Sequence, residues 1–399
     1  MLVGIICFSY FLGLVFAPFP CWPTVFKLWR ALLFDRADAT SKIRQFTFLI
    51  LVIVRAPFWT FFWYVDELLF PEYRNQLIDP VFIIGQPRCG TTLLHRTLAQ
   101  DNQTFFAVRH IEWRYPFISV QKVINLLGLN KWLEKVDYWP KSQAGQMASK
   151  MHKNRLSDWE EDGIFFEENF LHHFFIYLRF PYPDLLPHLD AYATLRLEDQ
   201  QRMLEMHHKV LKKVSFLRGA QGRFYLSKEV TSHNKLPALA ARYPSARFIV
   251  VTRESGKFMS SLMPLVRMST WSKTGIDPLT LPNWEDSMLT RMRSDSLNLV
   301  ELCEKVIPLE RQTRVSASDV MVNVVDSISI IYRELGLVAS REFVNYLTEL
   351  EVNQEDRERG YEYLSLSPKG FEQYDNFTKT NAQQFRKKID EIKGQRLWK

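Results

Sequence analysis

The chain has 399 residues, 47% of them hydrophobic and 14% aromatic, enough to bury a large core and too apolar for a disordered or fibrous protein. Its formal charge of +7 suits an anionic ligand, an anionic membrane surface or nucleic acid, and does not choose among them. Four scattered cysteines (Cys7, Cys21, Cys89, Cys303) exclude a disulfide framework, and with no CxxC or Cys/His cluster no metal site is expected.

Residues 2–26 are apolar over about the length of a bilayer span, although Pro18, Pro20 and Pro23 interrupt the second half. Without an obvious small-residue cleavage site they read as an uncleaved membrane anchor. A basic stretch with Lys27, Arg30, Arg36, Lys42 and Arg44 follows, then a second apolar run over residues 46–70, broken by Arg55, Pro57 and Asp66. Three readings of that run stay open. If it spans, the positive-inside bias leaves the basic stretch in the cytosol and the rest of the chain on the far side. If it lies in the interface, with Trp59, Trp63 and Tyr64 at headgroup level, the rest stays cytosolic. It can also be a buried helix of the globular part. The chain is expected at a membrane of the Golgi type or a bacterial inner membrane, with its sidedness open.

From residue 79 the pattern is α/β: apolar runs of strand length each lead into a helical segment, which implies a parallel sheet with crossover helices. Strands are expected at residues 81–85, 223–227 and 246–251, and helices at 92–100, 235–242 and 256–265. An aromatic-rich, mostly helical insertion occupies residues 113–222, a natural place for a substrate lid. Further helices are expected at 286–304 and 319–335, before a basic tail. Three regions follow: a membrane-associated segment (1–70), a catalytic domain (71–345) and a basic extension (346–399).

The loop after the first strand, "GQPRCGTT", carries the chemistry. Gly85, four residues, Gly90, Thr91 and Thr92 reproduce the phosphate-loop spacing G-x-x-x-x-G-K-[ST], with Thr91 where the lysine belongs. In a nucleoside triphosphatase that lysine reaches the outer phosphates, and an aspartate on another strand helps to hold magnesium. What remains here is backbone N–H groups at a helix N-terminus, which favour an anion, and the guanidinium of Arg88, whose fork suits oxyanions. Such a loop fits a 5′-phosphate better than a magnesium-bound triphosphate.

"PRCGTTLLHRTL" resembles the 5′-phosphosulfate loop, P-[KR]-x-G-T-T, of the sulfotransferases that use 3′-phosphoadenosine 5′-phosphosulfate (PAPS); the arginine form is that of the tyrosylprotein and bacterial-type groups. "FIVVTRESGKFMSSL" is similar to the family's 3′-phosphate site, an arginine at a strand end (Arg253) and a serine about two helical turns on (Ser261), with Ser260 an open neighbour. "WEEDGIFF" and "YLSKEVTSHNKLPALAARYPSARFIVVTR" echo the same group. The resemblance covers about residues 68–340. It implies a P-loop-like three-layer α/β sandwich, PAPS as co-substrate, no metal, and transfer of a sulfuryl group to an acceptor hydroxyl of a carbohydrate, lipid or small alcohol.

It also implies site residues. Arg88, Cys89, Gly90, Thr91 and Thr92 would hold the 5′-phosphosulfate, with Arg253 and Ser261 on the 3′-phosphate. The base is Glu112 in "VRHIEWRYP", with His110 a rival at nearby spacing. Lys228, at a strand end, corresponds to a lysine that contacts the leaving oxygen, and His233 to a histidine of the bacterial-type group. His172 and His173 read as core or lid residues. Cys89, where serine or threonine is usual, suggests sensitivity to alkylation. The stretch "TRVSASDV" lacks the tyrosine that lies near adenine in cytosolic members. The competing readings are a P-loop phosphotransferase, which the missing lysine disfavours, and an inactive membrane-bound binding module, which two intact phosphate motifs disfavour. Nucleic-acid binding is not expected, because the basic residues are dispersed.

Overall fold

The first apolar run, "PVFIIG", is continuous rather than alternating because it is the central strand of a sheet and is buried from end to end. In the computed structural model, which describes residues 21–34, 39–170, 176–186, 195–230, 233–352 and 368–392 with positions 3–5, 7, 8, 11 and 192, this strand is β1, Pro80–Gly85. β1 pairs in parallel with β3 (Phe224–Glu229) on one side and β4 (Arg247–Thr252) on the other. β2 (Phe105–Phe106) and β5 (Gln312–Ser316) complete the order β2-β3-β1-β4-β5, all parallel. The chain leaves β1 toward β2 and leaves β4 toward β5, so the strand order reverses between β1 and β4. In open α/β sheets that reversal opens a crevice at the carboxyl ends, where ligands bind.

The register aligns those ends. Ile83 lies opposite Lys228 and Ile249, and Gly85 opposite Val251. Gly85 has no side chain for a steric reason: a Cβ there would lie 2.3 Å from the carbonyl oxygen of Val251. Phe82 stacks on Phe248 of β4 at 5.4 Å between centroids, filling the interior on one face of the pair. The helix Thr91–Leu98 follows β1 and buries Leu94 and Leu98, with His95 Nε2 at 3.3 Å from the carbonyl oxygen of Leu226 on β3.

The sheet has two strands that the sequence pattern does not announce. β2 is two residues long, and β5, "QTRVS", begins with three polar residues, because an edge strand pairs through its backbone on one side only. The helix Ser255–Thr274 runs on through Pro264, past the boundary expected near residue 265. The tail also does more than the sequence suggests. The helix Glu372–Ile392 buries Tyr374, Phe377, Asn381, Phe385 and Ile389, one stripe at helical spacing, and packs on β5 and β4.

The chain divides into two compact units. One comprises residues 79–107, 222–264 and 289–399 and holds the sheet; the other comprises 1–78, 108–221 and 265–288. In the second unit the helix Ala39–Leu69 contains the one stretch among the described residues, Ser41–Leu69, that is long and apolar enough to cross a membrane. Its tryptophans point inward: Trp59 meets Phe117 edge-on at 5.4 Å, and Lys213 Nζ lies 3.6 Å above the Trp63 ring. Trp59 and Trp63 are therefore buried, and the placement of these two rings at headgroup level is corrected. Asp66, fully buried, accepts from the N–H groups of Ile118 and Ser119 at 2.6 and 2.9 Å, at the start of the helix Ile118–Leu126, and from Lys213 at 3.2 Å. Of the anchor expected at residues 2–26, residues 12–20 and several before them lie outside the described residues, and residues 22–26 begin the helix Trp22–Phe34.

Replacing Gly85 by alanine forces β1 and β4 apart at their carboxyl ends. Overpacking of this kind costs about 1–3 kcal/mol, which in a domain of this size lowers Tm by roughly 3–10 °C, read in a thermal melt against wild type.

Candidate functional site

The loop that follows β1 turns sharply. Arg88 has a φ of +67° and Gly90 one of +82°, both in the left-handed region. Glycine adopts that conformation freely, whereas arginine is held there at a cost of about 1–3 kcal/mol. Arg253, at the end of β4, holds it: its Nη1 donates to the Arg88 carbonyl oxygen at 2.7 Å. The Arg88 side chain in turn donates through Nε to the hydroxyl of Ser261 at 2.9 Å. The two motifs recognised 165 and 173 residues apart thus meet at one edge of one sheet. Ser260 spends its hydroxyl on the Gly256 carbonyl at 2.6 Å, so Ser261 is the serine that faces Arg88.

Lys228, buried at the end of β3, donates to the Thr92 hydroxyl at 3.3 Å. Where a triphosphate loop carries a positive charge on its own lysine, here an ammonium on the neighbouring strand lies beside the loop. Thr91 and Thr92 open the helix Thr91–Leu98 behind Gly90, which caps it. Backbone N–H groups of the first turn, two guanidiniums and one ammonium therefore share one edge of the sheet, a donor set for sulfate and phosphate oxygens. Among the described residues no cluster of three or more His, Cys, Asp or Glu side chains is arranged to hold a metal ion.

His233 lies just past β3 and is buried. Its Nδ1 is 2.8 Å from Asp295 Oδ2, and its backbone N–H donates to Asp295 Oδ1 at 3.3 Å. Asp295 also lies 3.2 Å from Arg291 Nη1 and accepts from Gln86 Nε2 at 3.4 Å. One carboxylate thus links the first residue of the phosphate loop to an imidazole whose Nε2 is buried and makes no hydrogen bond. Asp295 and Gln86 escape sequence reasoning, since nothing in the helix "WEDSMLTRMRSDSLNLVE" marks one aspartate among its acids.

The other two base candidates lie in the second unit, in the short helix His110–Arg114. Glu112 is fully buried, and its carboxylate accepts from the Arg109 backbone N–H at 2.7 Å and from Arg218 Nη2 at 2.5 Å, with Arg109 Nη2 at 3.2 Å. Burial would raise its pKa, but Arg218 and Arg109 outweigh it and hold the carboxyl below the ordinary glutamate value. His110 is pushed down to about 3, by burial first and then by Arg114, whose Nε lies 2.6 Å from His110 Nε2. Within the acidic echo "WEEDGIFF" Asp162 pairs with His207 at 2.9 Å, and just beyond it Arg114 and Arg55 pair with Glu168 and Arg179 with Glu167 at 3.5 Å. His172 and His173 lie outside the described residues.

Cys89 is fully buried inside the loop. Removal from water pushes its thiol up to about 12 despite the nearby charge of Arg253, so almost no thiolate exists at neutral pH. The expected sensitivity to alkylation is corrected on that ground. The C-terminal helix closes the site from behind: Tyr374 sits beside the Cys89 thiol, and Asp375 accepts from the Ser255 N–H at 2.7 Å and from the Ser255 hydroxyl at 2.6 Å. These residues follow the stretch that resembles known motifs, and no sequence signal pointed to them.

Comparison with known proteins agrees with this geometry. The model of the sulfotransferase family matches residues 80–340. Among solved structures, sulfotransferase STF1 from Mycobacterium tuberculosis H37Rv superposes with a TM-score of 0.64 at 15% identity, covering 94% of this chain and 98% of that one. Sulfotransferase STF9 from Mycobacterium avium superposes with a TM-score of 0.61 at 14% identity, covering 93% and 96%. At such identities these likenesses speak for the fold. No curated protein sequence matches the chain. With the family match spanning the sheet, the loop after β1 and the Arg253–Ser261 pair, the chain belongs to the sulfotransferase family.

Proposed function

We propose that this protein transfers the sulfuryl group of PAPS directly to the hydroxyl of a carbohydrate, lipid or small alcohol, working from a membrane to which its apolar N-terminal region attaches it. The observation that carries this reading is the hydrogen bond from Arg88 to Ser261, with Arg253 on the Arg88 carbonyl. The donors expected for a 5′-phosphosulfate and for a 3′-phosphate thereby lie at one edge of the sheet, which supports this reading. The phosphosulfate lies on the N–H groups of Gly90, Thr91 and Thr92 with Arg88; Arg253 and Ser261 take the 3′-phosphate, which separates PAPS from ordinary adenine nucleotides.

His233 is the base. The acceptor oxygen forms a bond to sulfur while the bond from sulfur to the bridging oxygen breaks. The acceptor proton passes to His233 Nε2, and the electron pair leaves with adenosine 3′,5′-bisphosphate, whose new negative charge Lys228 meets. Asp295 is a positioning residue: by accepting a hydrogen bond from Nδ1–H it leaves the Nε2 lone pair free for the acceptor. Glu112, held ionised by two arginines, and His110, tied to Arg114, have their proton-accepting atoms engaged within their own unit.

Adenosine 3′,5′-bisphosphate at a hundredfold excess over Kd should stabilise the wild type by about 2.7 kcal/mol. Arg88→Ala and Arg253→Ala should each weaken that binding roughly 10- to 100-fold, the worth of a charge-assisted hydrogen bond. Stabilisation of the wild type no greater than that by AMP refutes the PAPS reading.

For the base, His233→Ala and Asp295→Asn should lower kcat on the order of 10²- to 10⁴-fold while KM for PAPS and stabilisation by adenosine 3′,5′-bisphosphate stay near wild type. Full turnover in His233→Ala, with loss in a folded Glu112→Gln or His110→Ala, moves the role to that residue.

A further inference from the structure

The helix Ala39–Leu69 is unusual in being apolar on both sides. Its inner side packs within its own unit, through Trp59, Trp63 and Asp66 among others. Its outer side carries Ile43, Leu51, Val54, Phe58, Phe61 and Leu68, each more than 40% exposed and together a single stripe at helical spacing. Water is a poor neighbour for such a stripe. Residues 39–65 contain no aspartate or glutamate, and the basic residues within them are Lys42, Arg44 and Arg55, of which Arg44 donates to the Ser272 carbonyl at 2.8 Å and Arg55 turns inward to Glu168. The preceding helix Trp22–Phe34, joined by the edge-on contact of Trp29 with Phe46 at 5.7 Å, exposes Leu33 and Phe34 together with Lys27 and Arg30.

Resting on the membrane attachment proposed above, we infer that this helix lies in the plane of the bilayer surface, its outer stripe in the acyl boundary and Lys27 and Arg30 against anionic headgroups. The inner side decides between lying and spanning. Polar contacts run along its whole length: Ser41 to the Thr274 carbonyl at 3.0 Å, Gln45 to the Arg179 carbonyl at 3.0 Å, Arg55 to Glu168, and Asp66 to Lys213 at 3.2 Å. A spanning helix would carry each of these partners, with their loops, into hydrocarbon, where charges and irregular backbone are excluded. A helix lying flat keeps them on the aqueous side and sinks only its outer face, about 5–10 Å deep. The stretch of 29 residues is about 43 Å long, which exceeds the hydrocarbon thickness but suits a strip in the plane. Lys27 and Arg30 of the preceding helix then meet phosphatidylserine-type headgroups, which is the arrangement their charge favours.

The test measures depth. In the full chain with Cys7→Ser and Cys21→Ser, leaving the buried Cys89 and Cys303, an environment-sensitive fluorophore is placed by Ile43→Cys, Val54→Cys or Leu68→Cys. The chain is reconstituted into vesicles of phosphatidylcholine with or without phosphatidylserine that carry nitroxides at known depths. The inference expects all three labels to be quenched at one shallow depth, with quenching several-fold stronger when phosphatidylserine is present, and that dependence lost in Lys27→Glu/Arg30→Glu. A deep label at position 54 between shallow labels at 43 and 68 means a spanning helix and overturns it. Labels that no lipid quenches mean a second copy or another segment of this chain covers the face, and overturn it equally. Stabilisation by adenosine 3′,5′-bisphosphate, measured on the same samples, reports separately on the nucleotide site.

Discussion

Everything at the phosphate-loop edge of the sheet depends on the left-handed turn at Arg88. A phosphate loop is a run of N–H groups aimed at one point, and that aim is set by backbone angles that arginine does not adopt by itself. Here the turn is held from two directions, by Arg253 on its carbonyl oxygen and by Ser261 on its side chain. Both partners come from the strand and helix next in the sheet, which lie close because Gly85 lets the backbones of β1 and β4 approach. The residues proposed to contact the donor are thus the same ones that hold the loop in shape, so on that proposal losing one weakens both binding and geometry.

The missing lysine is a consequence of the same arrangement. A triphosphate loop projects its lysine from the first turn of its own helix; here that position is Thr91, which is buried, and the charge arrives from β3 as Lys228. A cation borne by the adjacent strand stands at the side of the loop instead of at its tip. That placement suits a leaving group whose charge grows on a bridging oxygen, since the field acts where charge develops in the transition state.

The loop, β1, β3, β4 and the Arg253–Ser261 pair were legible in the sequence because each has a local signature: an apolar run, a spacing of glycines, an arginine at a strand end. β5 and the C-terminal helix were not. The first is an edge strand with polar residues where a pattern of burial would mark it, and the second earns its place only through the sheet it packs on. Asp295 belongs to the same class. Its importance lies in reaching Gln86 and His233 at once, and an aspartate among other acids on a helix says nothing of that. Glu112 shows the converse, a carboxylate at a suggestive spacing whose lone pairs the fold gives to Arg109 and Arg218.

The buried acids of the second unit illustrate why charge in the sequence is a poor guide to chemistry. Glu167, Glu168 and Glu112 each face arginines, and removing one partner would leave an uncompensated charge out of water, a loss of about 3–5 kcal/mol in comparable buried pairs. Such groups are committed to the fold, and a base must be free to change its charge without that penalty. The proposed base, His233, is placed differently. In its neutral form it keeps Nδ1 on Asp295 and Nε2 empty, and in its protonated form the carboxylate already faces the new charge.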